Sequence, residues 1–143
     1  NILHHSEIKL VNGGKQRRSF TYIDDGVDGL MKIIENKDQC ASRRIFNLGN
    51  PTNDLSVEEL VTMLLDQFQK YPKYASLARN TKVTIVDGEA HYGEYYQDSQ
   101  FRVPSIENAR TYLGWKPSTD MKTALKKTLD YYLLDEKHLP EIE

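Results

Sequence analysis

Apolar and polar residues change period several times along the chain, and each change marks an element. Glu7-Ile8-Lys9-Leu10-Val11 alternates as a half-buried strand does, and Asn12-Gly13-Gly14 closes it with a turn signal. Ser19-Phe20-Thr21-Tyr22-Ile23 alternates again and predicts a second strand, so that the two strands and their turn read as a hairpin. Val27, Leu30, Met31 and Ile34 then recur at helical spacing, predicting a helix over 25–36 with one apolar stripe and with Asp24 or Asp25 as its cap. Arg44-Ile45-Phe46-Asn47-Leu48 is a short β-rich run ended by Gly49-Asn50-Pro51.

Ser56 and Glu59 have the S-x-x-E spacing of a capping box, and Val57, Leu60, Val61, Leu64, Leu65 and Phe68 line one face of the helix it opens, which ends near Tyr71-Pro72. Lys82 to Val86 predicts another strand, followed by an irregular stretch from Asp87 to Val103 that is rich in Tyr and Gly. Loops of that length in a compact domain are usually functional or disordered. Pro104-Ser105 starts a short helix that Gly114 stops, with Trp115 expected to pack the last two helices together. Asp120 caps a last helix with Met121, Ala124, Leu125, Thr128, Leu129 and Tyr132 on one side, and a frayed tail is expected over 135–143.

These elements predict an α+β or α/β unit with about four short strands and four helices. No G-x-G-x-x-G follows a strand, so a complete Rossmann domain is not expected. The first residue is Asn1, and Ile2-Leu3 enter at once as if inside an element, which suggests a piece of a longer chain. The whole of 1–143 reads as one subdomain. Charge narrows the partners: 19 Lys+Arg against 21 Asp+Glu leave a net −2, which argues against nucleic acid or anionic lipid. No run reaches the roughly 18 apolar residues of a membrane span. Cys40 has no partner for a disulfide, and four scattered His give no zinc spacing, so no metal site is indicated. A soluble, cytoplasmic protein in a reducing compartment is the expectation.

Two stretches carry candidate chemistry. Lys9, Lys15, Arg17 and Arg18 surround the glycine turn with no acid from residue 8 to residue 23. Backbone N–H groups at such a turn and flanking cations complement phosphate oxygens, although a solvated basic tip has the same composition. Tyr92 to Arg102 offers aromatic rings for a base or sugar and a guanidinium for a carboxylate. A guanidinium holds its proton at any working pH, so Arg102 is easier to defend as a charge stabiliser than as an acid. Tyr112 and Lys116 match Y-x-x-x-K, but Gly114 and Pro117 break the helix that would align them. Asn47 and Gly49 read either as a ligand approach or as a plain turn, and nothing near Cys40 would activate it.

The segments I-K-L-V-N-G-G-K-Q-R-R-S-F-T-Y-I-D-D, F-N-L-G-N-P, S-V-E-E-L, Y-Y-Q-D-S-Q-F-R-V-P-S and L-G-W-K-P, in this order, resemble the C-terminal, sugar-binding half of the extended short-chain dehydrogenase/reductase family of nucleotide-sugar enzymes, most of all its UDP-glucuronic acid decarboxylases. The resemblance runs from about Ile8 to Leu134. It implies a substrate-binding part of a Rossmann-type enzyme. The uridine-diphosphate contacts fall on Lys9, Leu10, Val11, Asn12, Gly13, Gly14, Lys15, Gln16, Arg17 and Arg18, a further substrate contact on Tyr96, and the catalytic role on Arg102. It also implies that NAD+ oxidises the sugar's C4 hydroxyl, that the β-keto acid loses carbon dioxide to give a UDP-4-keto-pentose, and that NAD is held by an upstream domain, with none expected in this chain.

Catalytic Tyr, Lys and acidic base would lie upstream too, so these 143 residues alone are expected to be inactive, and to expose apolar surface or self-associate. The full-length protein is expected to be a homo-oligomer that serves lipid A aminoarabinose modification and polymyxin resistance. Alternative readings are a UDP-xylose synthase or 4-epimerase half, and a non-catalytic nucleotide-sugar-binding module.

Overall fold

The structure, a computed structural model, describes residues 1–134; the tail expected to fray over 135–143 lies outside the described residues. Among these, the elements in chain order are β1 (Ile8–Val11), β2 (Arg17–Ser19), α1 (Ile23–Glu35), β3 (Asp54–Ser56), α2 (Val57–Phe68), α3 (Ala75–Asn80), β4 (Val83–Val86), α4 (Gly88–Tyr92), β5 (Phe101–Arg102), α5 (Glu107–Leu113) and α6 (Met121–Leu134). The mixed α/β class stands. Two short helices, α3 and α4, and two short strands, β3 and β5, add to the elements expected from periodicity. The described residues form two compact units, the first from 1–16, 56–100 and 122–134, the second from 17–55 and 101–121.

In the first unit β1 and β4 form a parallel pair with Ile8 opposite Val83 and Val11 opposite Val86. Its core gathers Ile2, Phe68, Tyr74, Ala78, Leu129 and Leu133, with Leu64 and Leu65 packed against it. The capping box forms as expected: Ser56 Oγ accepts from Glu59 N–H at 3.1 Å, and Glu59 Oε2 accepts from Ser56 N–H at 2.7 Å. On α6 the buried side is Ala124, Leu125, Leu129 and Leu133; Tyr132, expected inside, is exposed, because Leu133 sits four positions after Leu129 and takes the inward place. Tyr71 ties α2's end to α6 by donating to Asp130 Oδ1 at 2.7 Å. Burial, then the hydrogen bond to Asp130 and its negative charge, raise the Tyr71 phenol, while hydrogen bonds from Lys126 and Tyr71 hold the Asp130 carboxyl down.

In the second unit the strand order is β3-β2-β5, and β2 runs parallel to β5. The expected hairpin is thus corrected. β1 and β2 belong to different sheets, and the 3₁₀ turn Asn12–Gly14 between them is followed by parallel pairing with later strands. The second strand also ends at Ser19; Phe20 to Tyr22 leave the sheet and Ile23 is already helical. Neither aspartate caps α1. Tyr22 stands at the N-cap and its side chain does not cap the helix; Asp25 instead accepts from Ser118 and Thr119 N–H, at 3.1 and 3.0 Å.

Trp115 is 1% exposed, but its partner is α1: its indole N–H donates to Asp25 O at 2.9 Å, and a methyl on Gly29 would come within 3.1 Å of the ring. Thr119 O in turn accepts from the Asn50 and Asn53 amides, both at 3.0 Å. The side of α1 that faces this network carries Asp25 and Gly29, so Ile23, Val27, Leu30, Met31 and Ile34 point outward and are exposed. The β-rich run Arg44 to Leu48 forms no strand. It has no strand partner among the described residues, Ile45 is 85% exposed, and the segment is held by the Asn108 amide on Ile45 O and by the Asn47 amide on Ser105 O. Gly49 serves packing, since a methyl there would meet Pro104 at 2.5 Å.

Candidate functional site

The residues singled out in the sequence fall into two clusters, one in each unit. In the first, β1 delivers the chain to a tight turn. Leu10 and Val11 are buried, so their side chains serve the core and only their backbone is available to a ligand. Asn12, Gly13 and Gly14 take left-handed conformations, with φ of 49°, 75° and 65°. A side chain at Gly14 would press on Glu58 N and Leu10 at 3.1 Å, which, with the positive φ, requires glycine there.

Tyr96 meets this turn. Asn12, Lys15, Gln16, Tyr96, Asp98 and Gln100 line a crevice of about 30 Å³, room for one water-sized group. Tyr96 O–H shares a hydrogen bond of 3.3 Å with Asp98 Oδ2, and its ring lies 4.6 Å from that of Tyr92 at 32°. Larger hollows, about 300 Å³ beside Ile2 and Leu77 and about 480 Å³ beside Met63 and Lys122, contain none of the residues picked from the sequence.

The acid-free stretch is not acid-free in space. Glu58, in the first turn of α2, pairs with Lys15, and Glu7 lies 3.7 Å from the Lys9 ammonium. In the second unit, Arg17 Nε donates to Asp54 Oδ2 at 3.0 Å and its Nη2 to Asp54 O at 2.6 Å. Arg18 differs: its Nη1 donates to Arg17 O at 2.7 Å, and its strand position pairs with Arg102 across the parallel β2–β5 register. Paired positions on neighbouring strands carry their side chains on one face, and like charges placed so are destabilising without an anion between them.

Sequence reasoning missed Asp54, Glu58, Asp98, Gln100 and Gly88. Asp54 lies just before α2 and Glu58 in its first turn, 37 and 43 positions from the cations they meet, and no local pattern signals such a pairing. Cofactor fit is poor. Gly26 and Gly29 lie inside α1 with Gly29 filled against Leu48 and Trp115, and Gly14 is pressed against α2, so no glycine cradle for a dinucleotide forms among the described residues. Nor do the described residues bring three His, Cys, Asp or Glu together for a metal ion, or contain a helix long and apolar enough to cross a membrane.

Parallel strand pairs in a mixed α/β chain mark a piece of a Rossmann-type enzyme fold. The NAD dependent epimerase/dehydratase family matches residues 1–49. The chain is also similar to the PbgP3 protein from Burkholderia pseudomallei, whose crystal structure it matches with a TM-score of 0.78 at 39% identity, over 90% of this chain and 35% of that one. Both findings support a likeness to the extended short-chain dehydrogenase/reductase family. It spans about a third of the length of the PbgP3 chain.

Proposed function

We propose that the chain is the UDP-sugar-binding portion of an NAD-dependent UDP-glucuronate decarboxylase, part of a longer cytoplasmic protein that acts in lipid A aminoarabinose modification and polymyxin resistance. The family match and the likeness to PbgP3 support an enzyme of nucleotide-sugar type. The sequence further resembles the decarboxylase module of the bifunctional polymyxin-resistance protein in G-G-K-Q-R-R and Y-Q-D-x-x-x-R-x-P-S.

The observation that carries the reading is the pairing of Arg18 with Arg102 on adjacent strands. A UDP-glucuronate has two anionic parts, a diphosphate and a carboxylate, and a guanidinium matches either bidentately. Arg18 is assigned to the diphosphate and Arg102 to the carboxylate. As the C–C bond to the carboxylate breaks, its electron pair moves onto the C4 ketone as an enolate, and a fixed cation beside it lowers that barrier. Arg102 supplies this field without giving up its proton, and the enolate carbon takes its proton from another donor. The first cluster takes the nucleotide side: turn amides of Asn12 to Gly14, Lys15 and Gln16 at the diphosphate, Tyr96 against the sugar or base. The preceding oxidation belongs to NAD and to residues outside this chain.

The test is a titration of UDP-glucuronate and of UDP into the full-length protein, with and without NAD+, followed by calorimetry and by NADH absorbance. Binding of both ligands, with NADH formed only from UDP-glucuronate, is expected. Turnover of UDP-glucose instead would assign a 4-epimerase, and failure to bind UDP would remove the nucleotide-sugar reading altogether.

A further inference from the structure

Gly88 belongs to neither singled-out stretch, yet both rest on it. Its N–H donates to Asn12 Oδ1 at 2.8 Å, which fixes the first residue of the glycine turn. A methyl group at Gly88 would lie 2.6 Å from Asn12 Nδ2 and 2.8 and 3.1 Å from Cδ1 and Cε1 of Tyr96. Contacts under 3 Å force something to move, and here both neighbours are groups assigned to the ligand. Gly88 itself opens α4, where Asp87 Oδ1 accepts from Ala90 N–H at 2.9 Å and anchors the helix start. Glycine is a poor helix former, and Gly88 does not need the left-handed region that glycine alone favours. Its place in α4 is therefore explained by contact and not by conformation.

Around this point the geometry is over-determined. Asn12 holds a left-handed φ of 49°, its amide is spent on Gly88, and the Tyr96 ring is limited by Gly88 and by the Tyr92 ring. Turn and ring therefore keep one spacing, and the missing side chain of Gly88 sets it.

We infer that Gly88 is a positioning residue for UDP-sugar binding, acting through Asn12 and Tyr96. This rests on the nucleotide-sugar reading above. A side chain at 88 pushes the turn and the ring apart, so both contacts to the ligand loosen together.

The test measures UDP affinity of the full-length protein by calorimetry for the unaltered chain, Gly88→Ala, Tyr96→Ala and the double variant. Gly88→Ala is expected to weaken UDP binding by about tenfold, the scale of about one hydrogen bond lost to the ligand. In the Tyr96→Ala background much of that loss is expected to vanish, because residues in contact are non-additive. A glycine that is merely structural would cost the same in both backgrounds, and that result overturns the inference, as does an unchanged affinity for Gly88→Ala.

Should Gly88→Ala fail to fold, Asn12→Gly keeps the left-handed backbone and removes the amide. It is expected to weaken UDP several-fold and to lose hydrogen-exchange protection at the Gly88 amide; unchanged affinity again overturns the inference. If the unaltered protein does not bind UDP, the nucleotide-sugar reading fails and takes the inference with it. If it binds UDP and ignores Gly88→Ala, only the inference fails.

Discussion

Lys15 and Arg17 sit three and one positions before Arg18 and carry the same charge, but the fold treats them differently. Lys15 meets the Glu58 carboxylate and Arg17 the Asp54 carboxylate, and Arg18 sits in register with Arg102 on the neighbouring strand. Two cations at paired strand positions leave their mutual repulsion for a ligand to relieve. The run therefore divides: Arg17 holds the backbone and side chain of Asp54, Lys15 meets Glu58, and Arg18 is the cation placed beside a second arginine.

The largest expected effect breaks that pair on the chemical side. Arg102→Ala in the full-length enzyme should lower kcat for UDP-glucuronate by about 10²–10³, the scale for loss of a charge-stabilising donor, with a much smaller change in KM. Equal losses in both would make Arg102 a ground-state contact. Next, Arg18→Ala should weaken UDP binding by about 1.5–3 kcal/mol, the worth of one hydrogen bond to a charged group. Arg17→Ala sharpens the contrast. It strips Asp54 of both bonds, and Asp54 Oδ1 is already buried without a partner, so the loss should appear as about 1–3 kcal/mol of stability in urea unfolding, with UDP affinity little changed. An affinity loss matching that of Arg18→Ala would erase the division.

Much of this was legible before any coordinates. The S-x-x-E box, the Gly114 stop and the strand at 83–86 are local signals with local causes, and they formed where the periodicity put them. What periodicity could not show was partnership. β1 and β2 look like a hairpin because Asn12-Gly13-Gly14 joins two alternating runs, and only the parallel pairing with β4 and β5 separates them. The α1 stripe looks like a core face, but a buried Asp25 and a Gly29 filled by Trp115 turn it outward. The site followed the same rule. Its cations were visible as a run, while Asp54 and Glu58, which decide what each cation does, were not.

Acid offers a probe of the second unit that leaves the cations untouched. Burial raises the Asp25 carboxyl, and hydrogen bonds from Thr119 and Ser118 outweigh it, so the folded value lies below the ordinary one. A depressed carboxyl stabilises the fold fully above the unfolded-state value of about 3.9, and that share is lost as the pH falls through the folded value. Unfolding by urea should therefore show falling stability below about pH 4. Asp25→Asn should flatten part of that slope while lowering stability at neutral pH by about 1–3 kcal/mol. A slope identical in the variant would place the acid sensitivity elsewhere.

The smallest effect is the most pointed. Lys15 faces Glu58 with more than two thirds of its side chain in solvent, and exposed pairs of this kind contribute about 0–1 kcal/mol. Lys15→Ala should leave stability within that margin. Glu58→Gln should do the opposite of harm to binding: it frees the Lys15 ammonium, which lines the crevice with Tyr96, and UDP affinity should rise slightly at low salt. If Glu58→Gln instead weakens UDP, Lys15 binds only when Glu58 aims it, and the paired cations of the turn then belong to the ligand as much as Arg18 and Arg102 do.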